Sequence, residues 1–173
     1  MLNLLLHRRS IRKFTTEPVA EADIEKILQA GLLSPSGRNK TPWEFVVIED
    51  KATLNVLGKC RHPQQAFLPD TPLAIAVLGD TTATDVWIED CSIAMTIMQL
   101  EAQTLGLGSC WVQIRNRMAQ GETQTSSDYI KELLSVPAQY DVLAILAIGH
   151  PDETKTPYQL DTLPYEKVHR EKF

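Results

Sequence analysis

The stretch from Asp85 to Leu105 constrains this chain more than any other. It reads as its longest helix, and apolar residues lie on nearly every side of it: Trp87, Ile88, Ile93, Ala94, Met95, Ile97, Met98, Leu100 and Leu105. A helix without a polar face is buried on most sides. In a chain of 173 residues it is either central to the fold or covered in a subunit interface. Gly106 ends it.

Helical and extended segments alternate on either side. Residues 2–9 read as a short helix, and Glu21 to Leu32 as another, with Ile24, Ile27, Leu28 and Leu32 at helical spacing. Glu44 to Ile48 is a strand, Lys51 to Lys59 a short helix, and Pro72 to Gly79 a buried strand bounded by turn residues. Ser109 to Ile114 is a strand, Ser127 to Leu134 a short helix, and Asp141 to Gly149 a second buried strand. There is no internal repeat and no evident linker, so the expectation is one α+β domain over residues 1–173. The last stretch, 151–173, has Pro151, Pro157 and Pro164, many charges and no period. A run of that length is either disordered or laid against a partner subunit. Tyr158, Leu160, Leu163, Tyr165, Val168 and Phe173 favour docking.

Charge and cysteine content exclude several classes. The net charge of −5 disfavours a nucleic-acid binder, whose affinity rests on excess positive charge. No uncharged apolar run is long enough for a membrane span. The start, Met1 to Arg9, puts its apolar residues before its charges, the reverse of a secretory leader, so a cytoplasmic protein is expected. Cys60, Cys91 and Cys110 are widely spaced, with no CxxC pair and no histidine pair at ligand spacing; no metal site is expected. Cys91 and Cys110 read as inert core residues. Cys60, between Lys59 and Arg61, is the more reactive candidate, although an inert role is favoured there too.

Three stretches carry candidate chemistry. Arg8-Arg9-Ser10-Ile11-Arg12-Lys13 holds four of the chain's 17 Lys and Arg beside a hydroxyl. Arginine forks and a serine suit an anionic ligand group; the plainer reading is a solvated basic turn. Ser34-Pro35-Ser36-Gly37-Arg38-Asn39-Lys40-Thr41-Pro42-Trp43 is a loop rich in hydroxyl and amide groups next to a large flat side chain, suited to a planar heteroaromatic ligand. Glu89 and Asp90 are carboxylates within the apolar helix and need partners, a cap or salt bridge before acid–base work. No GxGxxG, phosphate-binding loop of the NTPase kind, or GxSxG elbow occurs.

In this order, Arg-Arg-Ser-Ile-Arg-Lys-Phe, Ser-Pro-Ser-x-x-Asn-x-x-Pro-Trp, Glu-Asp, Leu-Gly-Leu-Gly-Ser-Cys-Trp and Ala-Ile-Gly-His-Pro resemble the short form of the FMN-dependent nitroreductase family. Each motif is weak alone; the ordered set is specific and spans the chain from Leu5 onward. The resemblance implies a mainly antiparallel central sheet flanked by helices, and a homodimer with FMN at its interface. It implies that Arg8 and Ser10 bind the phosphate, that Arg9 lines the flavin, and that Arg12 sits beside flavin N1 and O2. Pro35, Ser36, Gly37 and Asn39 match the loop brought to the ring by the other subunit. Val112 and Gln113 fall near the donor to flavin N5. Thr41 stands where the family often has Gln, and Lys155 is the one residue able to stand in for the usual phosphate-binding Arg after Gly-x-Pro.

The implied activity is transfer of hydride from NAD(P)H through FMN to nitroaromatic, quinone or similar acceptors, with ping-pong kinetics. No side chain acts as a required acid or base; Arg12 would stabilise the charge gained on reduction. The acceptor side is expected around Arg61 to Phe67 and the partner's long helix. Alternatives are a related flavin enzyme with other chemistry (reductive dehalogenation, ene reduction or dehydrogenation, flavin breakdown) or a non-catalytic FMN-binding module.

Overall fold

A computed structural model describes residues 1–63 and 65–173. The elements in chain order are α1 (Leu2–His7), α2 (Glu21–Leu32), β1 (Trp43–Ile48), α3 (Lys51–Leu57), β2 (Leu73–Asp80), α4 (Trp87–Thr104), β3 (Gly108–Gln113), α5 (Ser126–Leu134) and β4 (Tyr140–Gly149). The four strands form one antiparallel sheet in the order β1-β2-β4-β3. This is an α+β fold with helices on both faces of the sheet.

β2 and β4 are the inner strands, and their apolar runs follow from burial on two sides rather than one. On one face α4 and α2 pack over Ile75, Val77, Leu146 and Ile148. On the other, α3 and α5 cover Ala74, Ala76, Ile145 and Ala147. The long helix is therefore central, one of the two places its composition allowed. It is not closed on all sides: Ile93 remains 42% exposed beside Ile97, in a stripe completed by Ser92 and Thr96, whose hydroxyls donate back to Ile88 C=O and Ser92 C=O.

Local chemistry sets the helix ends. Asp50 accepts from Thr53 N–H at 2.8 Å and starts α3. Thr125 accepts from Asp128 N–H at 3.0 Å and starts α5. Gly106, at φ +76°, lets Leu107 N–H reach back to Ala102 C=O at 2.9 Å and stops α4. The first helix is shorter than its expected span of residues 2–9. It ends at His7, because Ser10 is drawn into a parallel bridge with Ser109 on the outer edge of β3. Arg8 to Lys13 is consequently extended rather than helical.

α4 runs the length of the sheet. At its start, Cys91 Sγ donates to Leu78 C=O at 3.3 Å, and Asp80 N–H donates to Pro42 C=O at 2.8 Å. At its end, Leu107 leads into Gly108, which pairs with Gly149 at the opposite end of the sheet. The final stretch follows a definite course. Asp152 N–H donates to Lys13 C=O and Tyr158 N–H to Leu6 C=O, both at 2.9 Å. Two short 3-10 turns follow, Leu160–Thr162 and Tyr165–Lys167. From Pro151 to Phe173 every residue is exposed except Glu153. No helix among the described residues is long and apolar enough to cross a membrane.

Candidate functional site

Because Arg8 to Lys13 is extended, alternate side chains take opposite faces. Arg8, Ser10 and Arg12 share one face, in the neighbourhood of the Cys110 thiol. Burial raises the pKa of that thiol, while Arg12, Arg8 and the Ser10 hydroxyl act against the rise. No ion pair joins Arg8 or Arg12 to a carboxylate among the described residues. Arg8 and Arg12 are four residues apart along an extended chain, about 13 Å, so this face offers positive charge at two well-separated points.

Arg9 faces the other way. Its guanidinium lies 4.7 Å from the Tyr158 ring centroid and donates to Thr156 C=O. It thus grips the C-terminal stretch. Lys155 lies in the same region and pairs with Glu153 Oε2 at 2.6 Å; Glu153 Oε1 accepts from Arg12 N–H, also at 2.6 Å. These contacts hold the Glu153 carboxyl below the usual carboxylate range, the Lys155 hydrogen bond first and the Arg12 N–H second. The sequence marked Tyr158 only as one of the apolar residues of the tail and gave no signal for Glu153; that they meet Arg9 and Arg12, more than 140 positions away, only the fold shows.

β3 carries Val112 and Gln113. Ile11 N–H donates to Ser109 C=O at 3.0 Å across the outer edge, and Ile114 N–H donates to Leu143 C=O at 3.2 Å across the inner one. By strand alternation the backbone groups of Trp111 and Gln113 face the open edge, and those of Val112 face β4. Val112 itself is buried. The Gln113 amide is engaged at both ends: it accepts from Trp111 Nε1 and donates to Arg115 C=O, each at 2.9 Å.

Pro35, Ser36, Gly37 and Asn39 lie elsewhere. Their loop precedes β1, at the end of the sheet where α4 begins, whereas Arg8 to Lys13 lies where α4 ends. α4 has 18 residues, which is about 27 Å of helix. The loop turns tightly. Arg38, Asn39 and Thr41 have φ of 51°, 55° and 43°. Ser36 Oγ accepts from Thr41 N–H at 2.9 Å, which leaves the hydroxyl hydrogen free to donate. Gly37 N–H donates to Asp90 Oδ1 at 2.8 Å. The sequence showed that Asp90 needed a partner; it could not show one 53 positions away.

A cleft of about 540 Å³ opens one residue beyond Gln113, among Ile114, Arg115, Arg117, His62, Thr125 and Asp141. None of the expected cofactor contacts lines it. His62 brings the Arg61–Phe67 stretch to its wall; Gln64 of that stretch lies outside the described residues. All three thiols are buried and unpaired. Burial pushes both Cys60 and Cys91 up to about 12. Cys60 is therefore an inert core thiol under α3 and α5, despite its polar neighbours in sequence.

Comparison with known proteins bears directly on this arrangement. The family model described as the nitroreductase family matches residues 5–60 and 55–150. The chain belongs to the nitroreductase family. A relative from Archaeoglobus fulgidus, bearing the provisional name NADH dehydrogenase/NAD(P)H nitroreductase, is 33% identical over 99% of this chain and 98% of its own. The solved structure of an FMN-dependent nitroreductase from Clostridium difficile R20291 superposes with a TM-score of 0.97 at 45% identity, over 100% of both chains. A nitroreductase from Desulfovibrio desulfuricans, solved in complex with FMN, has a TM-score of 0.78 at 27% identity, over 99% of this chain and 96% of that one. The α+β scaffold described above is thus the nitroreductase scaffold, and the chain is a flavin oxidoreductase of that family.

Proposed function

We propose that this protein is an FMN-dependent oxidoreductase that takes reducing equivalents from NAD(P)H, and that its cofactor is held between two copies of the chain. The observation that carries the two-copy reading is the separation of the two candidate halves. Arg8, Ser10 and Arg12 lie where α4 ends, and Ser36, Gly37 and Asn39 where it begins. A mononucleotide does not bridge the length of α4. Two chains placed antiparallel along their exposed α4 stripes would bring one end of each helix to the opposite end of the other.

The residues fit FMN. Arg8 and Ser10 supply a fork of donors and a hydroxyl for a phosphate, uncommitted to any carboxylate among the described residues. The free hydroxyl hydrogen of Ser36 and the Asn39 amide suit the polar edge of a flavin ring. When bound, FMN supplies the two-electron chemistry that links NAD(P)H to the acceptor. Arg12 would set positive charge beside the ring and so favour its reduced form. At the open edge of β3 the Gln113 N–H is the suitably directed donor, with its side chain locked by Trp111 and Arg115; Val112 contributes packing. Lys155 reaches a phosphate only by loosening its pair with Glu153, so Arg8 and Ser10 carry most of the anion binding. Arg9 acts through the tail it holds.

One cleft serving donor and acceptor in turn gives ping-pong kinetics, with nitroaromatics or quinones as the acceptor class. The wall around His62 lies on the acceptor side. The segment 151–173 covers the partner subunit, and three unpaired buried thiols suit a reducing, cytoplasmic setting. Two measurements on purified protein test this reading: the visible spectrum with FMN stoichiometry, and mass by light scattering. A yellow dimer with one FMN per chain, bleached anaerobically by NADH or NADPH and reoxidised by menadione or a nitrofuran, is expected. A colourless protein that gains no FMN, or a stable 19.4 kDa monomer holding FMN, would overturn it.

A further inference from the structure

The loop from Ser34 to Thr41 is held to the body of the protein by a carboxylate that the local packing does not call for. Asp90 is 4% exposed, and its Oδ2 atom is buried with no hydrogen-bond partner among the described residues. Its Oδ1 atom has one partner outside its own helix, the Gly37 N–H at 2.8 Å. Burying a carboxylate with one oxygen unmatched is destabilising, and an apolar or amide side chain would cost less in a helix otherwise packed with Trp87, Cys91 and Ala94.

What Asp90 secures is a strained segment. Three of the four residues from Arg38 to Thr41 are non-glycine residues with left-handed backbone, and Thr41 is β-branched. Such residues are costly and persist only where their surroundings enforce them. Within the loop, Ser36 Oγ accepts from Thr41 N–H, and Asn39 N–H and Lys40 N–H donate to Ser36 C=O and Gly37 C=O, each at 3.1 Å; Asp90, accepting from Gly37 N–H, ties the loop to α4. Gly37 is seated closely enough that a Cβ there would lie 2.8 Å from Val86 Cγ2. The turn is therefore moulded to the first turn of α4.

We propose that Asp90 is a positioning residue for the flavin reaction: by fixing the Gly37 amide it sets where Ser36 and Asn39 present their donors to the partner subunit's cofactor. The inference rests on the reading that this loop faces a flavin. Asp90 touches neither cofactor nor substrate, and its effect is felt in the site of the other copy. α4 thereby links its own subunit's core to its partner's ring contacts.

The test uses the holoenzyme of the wild type, Asp90→Ala and Asp90→Asn, with menadione as acceptor. FMN stoichiometry is expected to survive in all three, because Arg8 and Ser10 are untouched and neither substitution adds bulk to the loop. In Asp90→Ala the KM for menadione is expected to rise about ten-fold or more, with a shifted flavin absorption band. Asp90→Asn keeps an acceptor oxygen for Gly37 and is expected to restore KM to within about two-fold. An Asp90→Ala holoenzyme with reduced melting temperature but wild-type KM, kcat and flavin band would overturn the inference. Should Asp90→Ala not fold, Asp90→Glu displaces the same charge by one methylene and is expected to move KM and the band; wild-type values in it would overturn the inference equally. A wild-type protein that binds no FMN would overturn this inference together with the reading beneath it.

Discussion

From Leu73 to Leu78 and from Val142 to Ile148 no side chain is more than 2% exposed; from Pro151 to Phe173 only Glu153 is even half-buried. The inner strands find all their partners in their own chain. The tail follows a definite path yet leaves Tyr165 64%, Val168 67% and Phe173 106% exposed. The stripe around Ile93 on α4 is the same kind of surface. Apolar side chains along an ordered but uncovered path are what one half of an obligate interface looks like in isolation. The difference teaches that the sheet with α4 sets the fold; under the two-copy reading proposed above, the chain ends with the outer stripe of α4 would set the assembly.

Truncation after Thr156 gives the largest expected effect. It is expected to leave the far-UV spectrum of the sheet and helices intact while abolishing the dimer and FMN retention, read by light scattering and absorbance. Loss of secondary structure on truncation would erase the distinction between the two regions. Substitutions in the extended stretch sharpen it further. Arg8→Ala removes a charge-assisted contact worth roughly 1.5–3 kcal/mol, so FMN affinity is expected to fall about ten- to one-hundred-fold. Arg12→Ala is expected to weaken FMN less and to lower the flavin reduction potential, measured by equilibration with a reference dye. Similar small effects from both would return this stretch to a solvated basic turn.

Much of this was legible in the chain itself. The bounds of α2, the central place of α4 and its stop at Gly106, and the two buried strands all follow from local pattern. Features set by distant contacts were not. Charges have no period, so nothing local showed that Arg8 and Arg9 leave the helix; the pairing of Ser10 with Ser109 decides that. The same pairing divides Arg8 from Arg9, neighbours in sequence that serve opposite faces. Cys60 sits among charged residues yet is wholly buried, because α3 and α5 close over it. Asp90 announced a need for a partner, but only the fold supplies Gly37.

A smaller effect concerns the root of the tail. Glu153 has its carboxyl lowered by Lys155 and by the Arg12 N–H. A depressed carboxyl stabilises the folded contact above its ordinary value, about 4.3, and loses that contribution as pH falls through the lower folded value. Amide exchange at Asp152 and Tyr158 is therefore expected to stay protected from neutral pH down to the ordinary carboxylate range, and to lose protection below it. In Glu153→Gln that pH dependence should vanish; its persistence would assign the titration to another group.

The central claim, that each cofactor site is built from both chain copies, is tested most directly by subunit complementation. Arg8→Glu spoils the half where α4 ends, and Gly37→Leu, whose side chain would meet Val86, spoils the half where α4 begins. Each variant alone is expected to bind no FMN. Unfolded together and refolded as a mixture, they are expected to recover FMN binding and menadione reduction, with one intact site in each mixed dimer. If both halves belonged to one chain, every site in the mixture would still carry a defect, and the mixture would stay colourless and inactive.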